Sequence, residues 1–300
     1  MSGHRATTLN ELNAVLSKMF TVQGVQNGLT FIPEASDVII SPFGKCGTTW
    51  MQQTVHGLRT RGSMDFGEIS EVIPWIEAAK DMGQDLTASQ VAQPRAFKSH
   101  LPWDKIPKGC RYICVLRDPL NALKSSYKFF EGWLMEPGAI AFEEFAYDQY
   151  LSRKPPKGYW HHLASWMEQR DNPDVLLLCY EHLQSGFPGK LKKIAEFIGV
   201  ELDGELEKTV QQQSSLSFMR EHGTHFDDHF LRLQRYQAMG LPEKSYSSKV
   251  SSTEAALQRP QPSQKLIADM QSRWEQEVTS RTGFKDYQAL KQWFSERDQE

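Results

Sequence analysis

The chain has 300 residues, of which 39% are hydrophobic, 11% aromatic and 24% charged, as in ordinary globular proteins. Disorder is therefore excluded as the default, and the length suits one large domain or two small ones. The 34 basic and 37 acidic side chains give a formal charge of -3, which excludes a global positive field for nucleic acid or an anionic membrane. Any anion site must be local.

The predicted strands and helices alternate over much of the chain. Nearly continuous apolar runs predict strands at residues 37–43, 95–98, 111–116 and 174–180. Apolar periodicity and spacing predict helices at residues 50–61, 121–130, 142–152, 159–170 and 188–198. This alternation predicts an α/β fold in which helices flank a parallel sheet through right-handed crossovers.

The strand signals stop after Val200. Helices are predicted at residues 267–279 and 287–294, and a Ser- and Pro-rich stretch from about 240 to 263 predicts a loop. Because no repeat or linker divides the chain, we predict a single domain, residues 1–300, with a core at about 37–200 and a helical, loop-rich C-terminal cap at about 201–300.

Two general features predict the cellular context. The N-terminal segment has no uninterrupted apolar h-region, and no later stretch is long enough to span a bilayer, so we expect a cytoplasmic protein without a membrane partner. The four cysteines lack metal-ligand spacing and predict reduced thiols. For Cys46, which lies in a glycine-containing loop, the alternatives are a small buried side chain and a reactive thiol.

The loop after the first predicted strand has the composition of an anion cradle. Gly44 and Gly47 flank Lys45, and Thr48 and Thr49 open the next helix. Glycine lets the backbone approach an anion, and a helix N-terminus offers unpaired N–H groups. An ordinary strand-to-helix turn is the alternative. The ATP-type pattern G-x-x-x-x-G-K-[ST] is not met, because a cysteine follows the lysine.

This loop, Gly44-Lys-Cys-Gly-Thr-Thr-Trp50, resembles the K-S-G-T-T-W loop of cytosolic-type sulfotransferases. These enzymes use 3′-phosphoadenosine 5′-phosphosulfate (PAPS) as sulfuryl donor, so the resemblance implies a P-loop-like fold and a nucleotide-binding core. It also implies that Lys45 is catalytic, that Thr48 and Thr49 hold the 5′-phosphosulfate with the loop amides, and that Trp50 stacks on adenine. Cys46 replaces the family's serine and removes a hydroxyl donor.

Two further segments resemble the same family. Arg117-Asp-Pro-Leu-Asn-Ala-Leu-Lys-Ser125 is similar to its R-x-P-x-x-x-x-x-S segment, which implies that Arg117 and Ser125 grip the 3′-phosphate. The alternatives are an arginine salt bridge and a helix-surface serine. Phe97-Lys-Ser-His-Leu-Pro102 resembles K-T-H-L-P, which implies that His100 is the general base and that Lys98 neutralises the sulfuryl oxygens.

The remaining matches lie toward the C-terminus. Tyr180, before Glu181, and Phe218, after Ser217, resemble residues that border the adenine ring in the family. The family's R-K-G loop is missing; Ser248-Lys-Val-Ser251 is the nearest substitute, and Lys249 is predicted to supply the positive charge at the 3′-phosphate. The family's dimer motif is not recognisable, so a homodimer is left open.

The sequence therefore predicts a sulfotransferase that moves a sulfuryl group from PAPS to a hydroxyl or amine of a small acceptor without a metal. Lys45 would stabilise the negative charge that develops on the bridging oxygen of the leaving nucleotide. An ATP-dependent small-molecule kinase and a non-catalytic nucleotide-binding protein are the alternatives.

Residues 65–85 and 129–136, with the Ser-rich loop, are predicted to line the acceptor pocket. The acidic residues of these regions indicate either a cationic acceptor or loops whose acids are simply solvated. The acids are Glu68, Glu71, Glu77, Asp81, Asp227 and Asp228, and the aromatic residues near them are Trp75, Trp133 and Phe226.

Overall fold

The computed structural model of the chain describes residues 3–246, 249–250 and 260–298. Within these residues, four parallel strands form one sheet: β1 Val38–Ile40, β2 Ala96–Lys98, β3 Arg111–Leu116 and β4 Val175–Cys179. Their order is β2-β1-β3-β4, and Ile39 pairs with both Phe97 and Tyr112. Because all strands run in the same direction, their carboxyl ends meet at one edge of the sheet.

Both faces of the sheet are covered. Ile39 and Phe97 face a core that contains Trp160 and Trp274, whereas Val38 and its neighbours on that side face a second core. This double burial explains why the strands are nearly continuous apolar runs rather than alternating ones. The predicted α/β fold with a parallel sheet flanked by helices is confirmed.

The helices pack on both sides of this sheet. In chain order they are α1 Leu9–Ser17, α2 Val22–Leu29, α3 Thr48–Thr60, α4 Ile69–Val72, α5 Pro119–Phe130, α6 Phe142–Ala146, α7 Tyr159–Met167, α8 Tyr180–Ile198, α9 Gly204–Gln213, α10 Leu216–Glu221, α11 His229–Met239, α12 Gln264–Trp274, α13 Ser280–Thr282 and α14 Tyr287–Arg297. Short 3₁₀ turns span Lys80–Met82 and Gly223–Phe226, and π turns span Tyr147–Leu151 and Glu275–Thr279.

Some predicted boundaries are wrong for identifiable reasons. The first strand was expected to reach residue 43, but β1 ends at Ile40, two residues before Pro42, which has no N–H to donate to a ladder. The helix expected from Pro188 begins at Tyr180 instead. Gly186, at φ -145° and ψ 39°, interrupts α8, and Pro188 lies in the first turn of its second half, where proline is tolerated.

The C-terminal third covers the sheet from both sides. Leu206 and Val210 of α9 join the core beside α3 and α8, whereas Leu266 and Trp274 of α12 join the opposite core. Of the predicted loop at 240–263, residues 247–248 and 251–259 lie outside the described residues. A single domain with a core at about 37–200 and a cap at about 201–300 stays a prediction. Across residues 3–246, 249–250 and 260–298, no helix combines the length and apolarity needed to cross a bilayer.

Candidate active site

A cavity of about 1020 Å³ opens at the carboxyl edge of the sheet. Every strand leads into it: Lys45 follows β1, Lys98 ends β2, Arg117 follows β3 and Tyr180 follows β4. Since β1 lies between β2 and β3, the chain crosses in opposite directions from this point, which is where open α/β sheets bind ligands. The fold thus collects motifs that are far apart in sequence.

The loop between β1 and α3 takes an anion-binding shape. Lys45 and Gly47 have left-handed backbones, with φ of 66° and 94°. Gly47 is required here, because a Cβ would lie 3.0 Å from the Tyr180 ring and the positive φ would be strained. No side chain caps α3 within the described structure, and the buried Thr48 Oγ1 has no hydrogen-bond partner there. The first turn therefore retains donors for an anion.

Cys46 turns away from the cavity. Its side chain is buried among core residues, and burial raises the pKa of the thiol to about 12. A thiol with this pKa is not a thiolate at neutral pH, so the structure favours the small buried side chain over the reactive thiol.

Arg117 lies against the same loop and keeps an unused donor. Its Nη1 donates to the Lys45 carbonyl at 2.6 Å, and its guanidinium lies 4.2 Å from the Tyr180 ring centroid. Among the described residues Arg117 has no salt-bridge partner and its buried Nε has no hydrogen-bond partner, so this geometry does not support the salt-bridge alternative. Ser125 on α5 is buried and lines the same cavity, rather than lying on a helix surface. Asp118 caps α5 and Pro119 opens it, which fixes this helix beside Arg117.

His100 is held as a neutral base. Its Nδ1 lies 2.7 Å from the Pro42 carbonyl, which can only accept, so Nδ1 carries the proton and Nε2 keeps a lone pair. The His100 backbone N–H donates to Glu77 Oε1 at 2.8 Å, and Trp75 meets the imidazole edge-on at 5.1 Å. Burial, reinforced by the charge of Lys98, lowers the pKa of His100 to about 3.

Two lysines of the cavity lie against aromatic rings. Lys45 Nζ is 3.9 Å from the Phe129 centroid, and Lys98 Nζ is 3.7 Å from the Trp75 centroid. Burial lowers the pKa of Lys45 to about 7, and the charge of Lys249 is the next cause. Burial also lowers the pKa of Lys98 to about 8. Both amines are thus poised to gain charge when an anion approaches.

The C-terminal motif residues are placed unevenly. Lys249 lines the cavity and lies 2.5 Å from Asp228 and 3.9 Å from Glu68, whereas Ser248 and Ser251 lie outside the described residues. Phe218 does not line the cavity, because its ring stacks on His222 at 3.9 Å. Contact of Phe218 with adenine stays a prediction that this geometry does not support.

The adenine-side motif residues form a wall of the cavity. Trp50 and Tyr180 both line it, with ring centroids 5.9 Å apart, and Trp50 stacks on Phe187 at 5.2 Å. In the described part of the chain, the buried Trp50 Nε1 has no hydrogen-bond partner. Leu216 and Met219 of α10 line the cavity where Phe218 was expected.

The cavity also has walls that the sequence did not indicate. Trp75, Glu77, Phe129 and Trp133 come from the two predicted segments. The unexpected lining residues come from the N-terminal region and from around α6; they are Leu16, Met19, Phe20, Phe145, Gln149 and Tyr150. No motif marks these residues.

The acids of these segments divide into two groups. Glu68, Glu77 and Asp228 are buried, so the interpretation of solvated loop acids is wrong for them. Phe226 and Asp227 are also buried but do not line the cavity. Exposed Glu71 and half-buried Asp81 face elsewhere; the latter accepts from Thr21. Among residues 3–246, 249–250 and 260–298, no cluster of three or more His, Cys, Asp or Glu side chains is arranged to hold a metal ion.

Comparisons with known proteins agree with this geometry. The family model described as the sulfotransferase domain matches residues 35–252. Sulfotransferase 1C2 of Rattus norvegicus is 25% identical over 230 residues, covering 73% of this chain and 77% of its own length. Sulfotransferase 2A1 of Homo sapiens is 28% identical over 201 residues, covering 64% of this chain and 69% of its own length.

Solved structures of similar fold are known. Retinol dehydratase in complex with retinol and PAP superposes with a TM-score of 0.64 at 15% identity, covering 91% of this chain and 95% of the other. A mouse sulfotransferase complexed with PAP superposes with a TM-score of 0.60 at 16% identity, covering 86% of this chain and 90% of the other. The matched segment spans more than half of the chain and contains the whole sheet and the motifs that line the cavity, so the chain belongs to the sulfotransferase family.

Proposed function

We propose that this enzyme transfers a sulfuryl group from PAPS to a hydroxyl or amine of a small-molecule acceptor. The convergence of four separated motifs on one cavity carries the proposal. The unpaired donors fit a nucleotide phosphorylated at both ends of its ribose: Thr48 with the α3 N-terminus at one end, and Arg117 with Ser125 at the other. PAP in the two solved relatives is consistent with this assignment.

The residues divide the chemistry between them. His100 Nε2 takes the acceptor proton, because its lone pair is free and burial keeps the imidazole neutral. Lys45 stabilises the negative charge that develops on the bridging oxygen of the leaving nucleotide. Lys98 screens the equatorial sulfuryl oxygens, as expected for in-line transfer governed by positioning and electrostatics. Trp50 and Tyr180 provide the aromatic wall against which the adenine ring of the nucleotide packs.

The acceptor lies against an aromatic wall in this proposal. Phe20, Phe129 and Trp133 offer flat apolar faces, and Gln149 offers a hydrogen-bonding group. A cationic acceptor is disfavoured, because Lys45, Lys98 and Lys249 surround the position of transfer. We propose a neutral aromatic or polycyclic alcohol or amine.

The direct experiment measures transfer from ³⁵S-labelled PAPS to phenols, steroids, sugars and amines, with EDTA present throughout. We expect transfer to an apolar acceptor and no turnover of ATP. Turnover of ATP that EDTA abolishes would instead identify a kinase.

A matched pair of histidine variants tests the base. His100→Gln should lower kcat by about 10²–10⁴-fold while PAP affinity stays within a few-fold, because the imidazole acts only on the acceptor proton. His161→Gln is the control, since His161 hydrogen-bonds Asp104 and does not line the cavity. Equal activity in His100→Gln and wild type would remove His100 from the mechanism, and PAP binding without any transfer in wild type would indicate a non-catalytic protein.

Two expectations lie beyond the cavity. A homodimer and a cytoplasmic location stay predictions, and light scattering on the purified chain measures the first of them.

A further inference from the structure

One carboxylate faces the lysines of the reaction centre. Asp228 Oδ1 lies 2.5 Å from Lys249 Nζ and 3.9 Å from Lys98 Nζ, and the three side chains are at most 7% exposed. Its charge also acts on Lys45 and on His100. In a buried setting such a carboxylate strongly influences which nearby amines carry a proton.

The backbone at Asp228 is unusual. It adopts φ 58° and ψ 23°, a left-handed conformation that costs free energy for a residue other than glycine. Although it directly precedes α11, its side chain does not cap that helix. The neighbouring Asp227 instead accepts from the His229 backbone N–H at 2.9 Å and from Arg232 Nη2 at 3.2 Å. The structural work at this helix end belongs to Asp227, whereas Asp228 is directed at the lysines.

The charges around Asp228 explain what it balances. Lys45 faces Lys98, Lys249 and Arg117, and all three cations lower its pKa in addition to burial. Asp228 raises the pKa of Lys45 and of Lys98, while the buried acids Glu68 and Glu77 act on Lys98 in the same direction. Burial opposes ionisation of Asp228, yet Lys249 and Lys98 hold its pKa at about 2, so it stays charged at neutral pH.

We propose that Asp228 is a positioning residue for sulfuryl transfer, which keeps Lys98 and Lys249 assembled as cations where the donor's sulfuryl group binds. The inference rests on the proposed function and deepens it. It places Lys249 at the sulfuryl end of the cavity, whereas the sequence motif placed this lysine at the 3′-phosphate. The contacts with Asp228, Glu68 and the Lys98 neighbourhood support the new placement.

The test compares Asp228→Asn with Asp227→Asn. Asparagine keeps the shape and tolerates a left-handed backbone, so the first variant removes mainly the charge. The ratio of wild-type to Asp228→Asn kcat/KM for PAPS should be within about threefold at pH 6 and rise to about tenfold at pH 8.5, because the lysines lose their protons at lower pH without Asp228. Asp227→Asn should give a ratio that varies much less with pH, because the charge of Asp227 raises the pKa of Lys249 less than the charges of Asp228 and Glu68 do and is not among the causes that act on Lys98. A pH-independent ratio for Asp228→Asn, or the same pH dependence in both variants, overturns the inference.

An activity-independent measurement separates this inference from the proposed function. Lysine Cε and Nζ resonances, assigned with Lys45→Met and Lys98→Met, should titrate at lower pH in Asp228→Asn than in wild type. If wild type transfers sulfuryl but these midpoints do not move, the inference fails alone. If the midpoints move and wild type transfers nothing, the electrostatic role of Asp228 stands while the proposed function fails.

Lys249→Met tests the placement without altering Asp228. Because PAP lacks the sulfuryl group, its affinity should stay within about threefold, while kcat/KM for PAPS falls about tenfold or more. Equal losses for PAP binding and PAPS turnover would return Lys249 to the 3′-phosphate and overturn the placement.

Discussion

The proposed contact of Arg117 with the 3′-phosphate gives the sharpest test of nucleotide recognition. In Arg117→Met the side-chain length is kept, while the guanidinium donors and the charge are lost. Two effects follow: the Lys45 carbonyl loses the hydrogen bond that Arg117 Nη1 donates at 2.6 Å, and the unpaired Nε is no longer there to donate to a 3′-phosphate. The first effect weakens any nucleotide, whereas the second weakens only one with a 3′-phosphate.

Comparing PAP with adenosine 5′-phosphate in both proteins isolates the second effect as a coupling energy. Charge-assisted hydrogen bonds contribute about 1.5–3 kcal/mol each, so we expect a coupling of about 2–3 kcal/mol, or about 30- to 150-fold in Kd. Calorimetric titration of both ligands provides the four affinities. Arg111→Met, at the opposite end of β3 and away from the cavity, is the control and should show no coupling. Equal losses for PAP and adenosine 5′-phosphate in Arg117→Met would refute the assignment.

Three further outcomes follow from the site. The kcat/KM for PAPS should decline as the pH rises through about 7, where Lys45 of the free enzyme loses its proton. Protonation of His100 should cause no loss between pH 7 and about 5, because the pKa of His100 is about 3. A pH series at saturating acceptor measures both effects. Cys46→Ser should lower the free energy of unfolding by about 1–2 kcal/mol in urea titrations with kcat nearly unchanged, since the residue is buried and faces away from the cavity. Trp133→Ala should raise the KM of an aromatic acceptor at least tenfold and leave the KM of PAPS within about twofold, as steady-state kinetics with each substrate varied would show.

Local sequence was sufficient where a motif and its element are contiguous. The Gly44–Thr49 loop follows β1 directly, and His100 and Arg117 follow the next two strands, so parallel pairing alone brings them to one edge. The strand assignments were reliable, apart from the end of β1, because double burial makes each run nearly continuously apolar. The position of Arg117 near the loop followed from strand order, but its hydrogen bond to the Lys45 carbonyl did not.

Tertiary contacts decided the parts that the sequence did not predict. Phe20 reaches the cavity because the N-terminal segment folds back, with Thr21 bonded to Asp81 and the Met19 carbonyl bonded to Arg235. These partners lie far apart in the chain and carry no motif. Phe218 shows the same limit: its ring stacks on His222 instead of lining the cavity, and a two-residue match cannot choose between the two faces of α10.

Burial places conflicting demands on this reaction centre. Removing water from His100 keeps its imidazole neutral, and the charge of Lys98 lowers the pKa of His100 further. The same removal of water lowers the pKa of Lys45 and Lys98, whose positive charges the transfer of an anionic group requires. Excluding water therefore keeps His100 able to accept a proton but makes Lys45 and Lys98 less able to hold theirs. A fixed negative charge corrects this if it lies near the amines and away from the hydrogen bond of His100 Nδ1. Asp228 satisfies that requirement, because it contacts Lys98 and Lys249 while the Nδ1–H of His100 is held by a neutral carbonyl.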